Sequence, residues 1–311
     1  MPRHYLRVTD ISAKETKSVL NLSSQLKKEL KAKGINQPLF KQKTLGMIFE
    51  KPSLRTRVSF EVGMTQLGGH AIYLGPSDIQ MGKRESAYDI GKVTSSMTDM
   101  IKARVFRHQV IEELASGSSV PVINGLSDLE HPCQVLADYL TIKESLGRIT
   151  NLKIAFCGDG NNNVTHSLML MSAMFGNTFV CASPTGYEMA KTMVKEGKSF
   201  ARITGGKIIE TTNPASAVKD ADVIITDTWI SMGDEKEAKK RLKVFPPYQV
   251  TSRLMQKAKP KAIFMHCLPA YRGKEVESAV IDGPQSVVYQ EAENRLHAQK
   301  GLMVWLLKNS H

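Results

Sequence analysis

The chain has 311 residues, 41% of them hydrophobic and 23% charged, which excludes disordered, collagen-like and disulfide-framework proteins and makes two domains the natural expectation. Its 42 basic and 30 acidic side chains leave a net charge of +12, suited to an anionic partner such as a phosphorylated metabolite, nucleic acid or a membrane surface. The excess is shared evenly: residues 1–150 hold 21 basic and 15 acidic side chains, leaving 21 and 15 for the rest, so no basic tail exists.

In chain order, a helix is expected over 13–32 and a strand over 44–49. A helix over 55–67, a strand over 70–74, a helix over 86–98 and a strand over 100–106 follow. A helix over 109–115 and a strand over 120–123 complete the first half. After a helical stretch at 131–146, strands are expected at 153–157, 178–182, 207–210, 222–226 and 262–266 with helices between them, and a last helix over about 292–307. Strands and helices that alternate in this way build parallel sheets through right-handed crossovers, so the class is α/β: two domains, each a mostly parallel sheet flanked by helices. The sheet-building pattern pauses in 131–146, which places the joint there. The expected domains are 1–135, joined by the last helix at about 292–311, and 136–291.

Four cysteines, Cys133, Cys157, Cys181 and Cys267, form no C-x-x-C pair, which fits a reducing, cytoplasmic setting and predicts no metal site. The N-terminal segment lacks a signal-length apolar run. The long weakly charged stretch 164–190 is broken by Gly176, Pro184 and Gly186, so no membrane span is expected. Lysine-rich clusters at 27–33, 236–243 and 257–261 are interleaved with Leu, Ala or Glu in helical patterns and read as solvated faces, not as a nucleic-acid surface.

Polar residues gather at strand ends. Pro52-Ser53-Leu54-Arg55-Thr56-Arg57 joins the strand 44–49 to a helix, where unpaired N–H groups, hydroxyls and a guanidinium can cradle phosphate; an ordinary Ser or Thr cap is an equal reading. Arg55 and Arg57, two apart, cannot face the same way, so one reaches a ligand and the other braces the loop. Arg104 near a strand end needs an anion or a carboxylate partner. His131-Pro132-Cys133-Gln134 could present two donors to a carbonyl oxygen, or simply cap a helix. Gly158-Asp159-Gly160 resembles the opening of a dinucleotide fingerprint, but the third glycine position is Asn163 and no ribose-binding acid follows the next strand. Asp227 and Cys267 each follow an apolar run, on the edge where open α/β sheets bind ligands; a carboxylate there suits an amine, while a cysteine there is also a small buried hydrophobe.

Together Ser53-Leu54-Arg55-Thr56-Arg57, His131-Pro132-Cys133-Gln134, Asp227-Thr228-Trp229-Ile230-Ser231-Met232-Gly233 and His266-Cys267-Leu268-Pro269 resemble the aspartate/ornithine carbamoyltransferase family over nearly the whole chain. The first two motifs are shared by the family, and the last two point to its ornithine branch. The resemblance implies transfer of a carbamoyl group from carbamoyl phosphate to the δ-amine of ornithine, without cofactor or metal, in a cleft between the domains. It implies that carbamoyl phosphate is held by Ser53, Leu54, Arg55, Thr56, Arg104, His131 and Gln134, with Cys267, Leu268 and Arg295 lining the reaction centre. Gln80 matches a residue given by a neighbouring subunit, so self-association into a trimer or larger assembly is implied. Ornithine falls to Asn163, with Asn162 the alternative, and to Asp227, Ser231 and Met232. Arg104, His131, Asp227 and Cys267 are the implied catalytic set. Cys133 departs from the family, which usually carries a non-thiol residue there. The tight turn after 262–266 predicts a cis peptide between Leu268 and Pro269.

Overall fold

The computed structural model describes residues 2–82, 84–231 and 235–310. The chain divides into two compact units, Met1–Leu140 with Glu293–His311, and Thr141–Ala292.

The first unit contains α1 (Ala13–Lys33), β1 (Thr44–Phe49), α2 (Leu54–Gln66), β2 (His70–Leu74), α3 (Pro76–Ile79), α4 (Ala87–Met97), β3 (Met100–Arg104), α5 (His108–Gly117), β4 (Val122–Leu126) and most of α6 (Pro132–Leu146). Its sheet runs β2-β1-β3-β4 and every pair is parallel, so all four carboxyl ends share one edge. The helix α1 starts at a capping box, with Ser12 and Glu15 satisfying each other's backbone, and stops at Gly34 in the left-handed conformation. The fourth strand starts and ends later than the sequence pattern indicates, because Pro121 cannot donate to a ladder and Tyr5 bridges Ile123 from outside, extending the pairing through Asn124.

The second unit contains β5 (Lys153–Cys157), α7 (Asn163–Met174), β6 (Thr178–Ala182), α8 (Lys191–Thr204), β7 (Lys207–Thr211), α9 (Pro214–Val218), β8 (Val223–Ile225), α10 (Ala238–Val244), α11 (Ser252–Met255), β9 (Ile263–Met265), α12 (Ser278–Ile281) and the first turn of α13 (Val288–Asn309). Its all-parallel sheet is ordered β7-β6-β5-β8-β9, with strand order reversing at β5 and β8. That reversal is a topological switch point, where ligands bind beyond the carboxyl ends. A core of Ala155, Val180, Ile224, Tyr248, Phe264 and neighbours packs on one face of this sheet.

The last helix begins at Val288, four residues before the expected start, so Arg295 lies inside it and not at its opening. Within the first unit it lies against α1 so closely that a Cβ on Gly301 would overlap the Ser23 hydroxyl. Lys27, read from sequence as part of a solvated face, is buried there and donates to Asn294 Oδ1 at 2.6 Å. Among the described residues no helix is long and apolar enough to cross a membrane.

Candidate active site

In the first unit the polar residues named from sequence gather at the carboxyl edge of β1 and β3. Ser53 is the N-cap of α2, but its hydroxyl makes no capping bond and instead accepts from Arg104 Nη1 at 3.3 Å. The amides of the first turn, and the positive dipole end they carry, are therefore not covered by their own cap. Leu54 is exposed and Arg55 half-buried at that start, whereas Thr56 is buried and accepts from Arg295 Nη2 at 3.3 Å. Arg57 bonds to Glu61 at 3.0 Å and lies over the Tyr73 ring, so of the two it is the one that braces the local structure.

Arg104 ends β3, where the pairing with β4 slips by one residue, and it is buried. His131 precedes α6 and is also buried; burial first, then the guanidiniums of Arg295, Arg104 and Arg55, hold its imidazole well below the usual histidine range. It is therefore neutral at pH 7, a hydrogen-bond donor rather than a proton source. Gln134 is oriented on both sides: its Oε1 accepts from Arg295 Nη1 at 2.6 Å and its Nε2 donates to Asp138 at 2.8 Å. Arg295 thus ties α13 to α2 and α6. Gln80 stands apart, exposed beyond α3 in the left-handed conformation at φ 46°. Cys133 donates to the Asn124 carbonyl, and burial pushes its thiol up to about 12, so it stays protonated.

In the second unit Asp227 follows β8. Its Oδ1 accepts from the Thr228 amide at 2.8 Å and from Cys267 Sγ at 3.3 Å, and its Oδ2 from Asn162 Nδ2 at 3.2 Å. Asn162 also reaches the Ser231 hydroxyl at 3.3 Å, while its Oδ1 caps α7 through the Val164 amide. The side chain bound into this set is thus Asn162, since the cap residue folds over the helix start, whereas Asn163 is already the first helical residue. Met232 lies outside the described residues. Cys267 is half-buried after β9; Leu268 beside it is held at φ 58°, and the Leu268-Pro269 peptide is cis. The glycine loop is closed by the chain itself: the Gly160 amide donates to the Tyr187 carbonyl, which a Cβ there would strike.

Asp227, His266 and Cys267 place their ligand atoms within 4.8 Å of one another, a grouping that could meet a cation. Each atom has a neighbour within the loop, however, with His266 Nδ1 accepting from the Leu268 amide at 2.9 Å and Cys267 donating to Asp227. Sequence reading missed a buried link between the loop after Asp227 and the loop after β5. Arg241 bonds to Asp159 at 2.5 Å and to the Trp229 carbonyl at 3.1 Å. Its setting in a lysine-rich run concealed it.

The buried imidazoles set a pH dependence for stability. Burial also holds His297 down to about 4, with Lys300 and Lys27 adding to it, and lowers His108. Native-state values below the ordinary 6.5 mean that the unfolded chain binds more protons as pH falls, so stability drops on acidification below about pH 6.5, by at most about 1.4 kcal/mol per pH unit for each such histidine and only until its native-state ring also titrates. Urea midpoints at about pH 7 and pH 5 measure this; equal midpoints would show that these rings charge without cost in the fold.

Two family models match: one described as the carbamoyl-P binding domain of aspartate/ornithine carbamoyltransferase over residues 3–144, the other as its Asp/Orn binding domain over 150–306. The chain is 52% identical over 305 residues to an ornithine carbamoyltransferase of Oceanobacillus iheyensis, covering 98% of this chain and 94% of that one. It is 50% identical to that of Anoxybacillus flavithermus, covering 98% and 96%. Among solved structures, the ornithine carbamoyltransferase of Pyrococcus furiosus superposes with a TM-score of 0.95 at 48% identity, covering 99% of this chain and 98% of that one. The anabolic enzyme of Campylobacter jejuni gives 0.92 at 40%, covering 98% of each.

Proposed function

Because the chain belongs to the aspartate/ornithine carbamoyltransferase family, we propose that its two polar clusters are the donor and acceptor halves of one carbamoyl transfer. The chain is an ornithine carbamoyltransferase by activity: it moves the carbamoyl group of carbamoyl phosphate to the δ-amine of L-ornithine, giving citrulline and phosphate in arginine metabolism. The Asp227 cluster is the observation that supports the acceptor assignment, since a buried carboxylate fixed by an amide, a thiol and Asn162 offers the one charge an amine needs.

The phosphate of the donor rests on the uncapped start of α2, held by Ser53, Leu54, Arg55 and Thr56, with Arg104 beside it. His131 and Gln134 serve the carbamoyl end, and Arg295 keeps Gln134 and Thr56 in place. Gln80, exposed at the far side of α3, completes the pocket of a neighbouring copy. Ornithine is held by Asn163, Asp227, Ser231 and Met232, while Asn162, the cap beside Asn163, braces the Asp227 carboxylate and the Ser231 hydroxyl. Cys267 and Leu268 face the reacting carbon.

An alkylammonium with a pKa near 10.4 must lose a proton before it can attack. Asp227 orients the amine and relays that proton, with Cys267 hydrogen-bonded to it. As the N–C bond forms, charge grows on the carbamoyl oxygen, where neutral His131 donates, and then on the departing phosphate, where Arg55 and Arg104 stand. The C–O bond to phosphate breaks and no covalent enzyme intermediate is required. The reaction is placed in the cytoplasm, in keeping with four free cysteines.

A citrulline assay with carbamoyl phosphate and ornithine tests the reading; absence of product between about pH 6 and 9, where the δ-amine begins to deprotonate, would overturn it. Faster turnover of putrescine than of ornithine would instead move the acceptor assignment. Cys267→Ser is expected to lower turnover several-fold and to shift the pH profile, because a hydroxyl does not ionise in the range where a thiol does. An unchanged profile would leave Cys267 a packing residue.

A further inference from the structure

Lys102 is the least expected residue of the donor half. It lies in the central strand β3, two positions before Arg104 and so on the same face of the sheet. Its side chain is fully buried, and its Nζ has no hydrogen-bond partner. The amine sits over the Phe49 ring at 3.2 Å, with Phe60 at 5.9 Å. Room for its stem comes from Gly125 on β4, where a Cβ would overlap the Lys102 Cε.

Among the described residues its surroundings offer no counter-ion. From β3 it faces Arg104, from the start of α6 Cys133 with His131 just before it, and from α13 Arg295; β1, α2 and β4 bring Phe49, Phe60 and Gly125. Cys133 is a protonated thiol and His131 a neutral imidazole, and no carboxylate is among the groups that bear on the amine. Burial first, then Arg104, press the amine well below the usual lysine range, with Arg295 adding to this. An unbonded polar group in such a place costs about 1–3 kcal/mol. An apolar side chain would avoid that cost, so the position calls for an account. The missing feature is an anion, and the donor half is arranged to receive one.

We propose that Lys102 is a charge-regulating positioning residue of the donor half-site, an amine kept without a counter-ion in the free enzyme that takes up a proton from solvent when carbamoyl phosphate settles on Arg55 and Arg104. The inference rests on the donor-site reading given above. The bound dianion offsets the repulsion from the arginines, so the pocket gains a cation only when one is needed. Until then Arg104 and Arg295 are spared a third positive neighbour. Binding linked to proton uptake weakens as pH rises, by up to tenfold per pH unit for one proton.

The test is calorimetric titration of carbamoyl phosphate, without ornithine, into wild-type enzyme and Lys102→Met, in two buffers of different ionisation enthalpy across about pH 7 to 9.5. The wild type is expected to take up as much as about one proton more per site than the variant, and its dissociation constant to rise more steeply with pH. Equal uptake and parallel pH slopes would overturn the role of Lys102. Failure of both proteins to bind would instead refute the donor-site reading, and this inference with it. Removing a buried, unbonded amine should raise the melting temperature; if Lys102→Met nevertheless fails to fold, Lys102→Gln enters the same comparison.

Discussion

Replacing Arg104 by Met is expected to lower kcat/KM for carbamoyl phosphate by about 10²–10³, the range for losing one preorganised donor to developing charge, or about 3–4 kcal/mol. The guanidinium is buried at the end of β3 and aimed by Ser53, which has given up its capping role to hold it. Its charge is therefore in place before the substrate arrives. Arg104→Lys tests the geometry separately, since an ammonium cannot reproduce the planar fork that meets two oxygens at once. A loss nearly as large for lysine as for methionine indicates that shape matters as much as charge. At saturating donor, KM for ornithine should change little in either variant. A fall confined to ornithine kinetics would mean that Arg104 belongs to the other half of the reaction.

Most of what positions this site could be read from the chain alone, because it depends on patterns of short range. Hydrophobic runs at 44–49, 70–74, 153–157 and 178–182 fix four of the strands to the residue. The polar residues that follow several strands, Asp227 and Cys267 among them, then fall on the ligand edge. The question of Arg55 against Arg57 could be posed from spacing, yet its answer needed Glu61 and Tyr73 in three dimensions.

What escaped the sequence depends on partners far along the chain. Asn162 meets Asp227 across 65 residues, and Arg241 meets Asp159 across 82. No local periodicity encodes either pairing. The burial of Lys102 was hidden for the opposite reason: Met100 to Phe106 reads as an apolar strand despite it, and a charged side chain within a strand is ordinarily assigned to a solvated face. Only the neighbouring Gly125 hints at the space it occupies. The bridge from Ser286 to Phe264 sets the earliest point at which α13 can begin, and the helix starts at Val288 directly beyond it, ahead of the start the sequence pattern indicates.

Asp227→Asn preserves the size of the side chain and removes its charge, which isolates the acceptor role. The Thr228 amide can still bond to the remaining oxygen, but a new NH₂ would face the Asn162 amide hydrogens that now meet Oδ2, so that contact turns from attraction to conflict. A neutral amide also cannot accept a proton from the attacking amine. We expect kcat/KM for ornithine to fall by about 10²–10⁴, the span assigned to a positioned general base, with KM for carbamoyl phosphate nearly unchanged. The lost rate should recover little at high pH if Asp227 chiefly orients the amine, and substantially if its main task is to remove the proton, because more of the δ-amine is then already neutral. Equal damage to donor and acceptor parameters would show that Asp227 maintains the fold of the strand ends and does not act on ornithine.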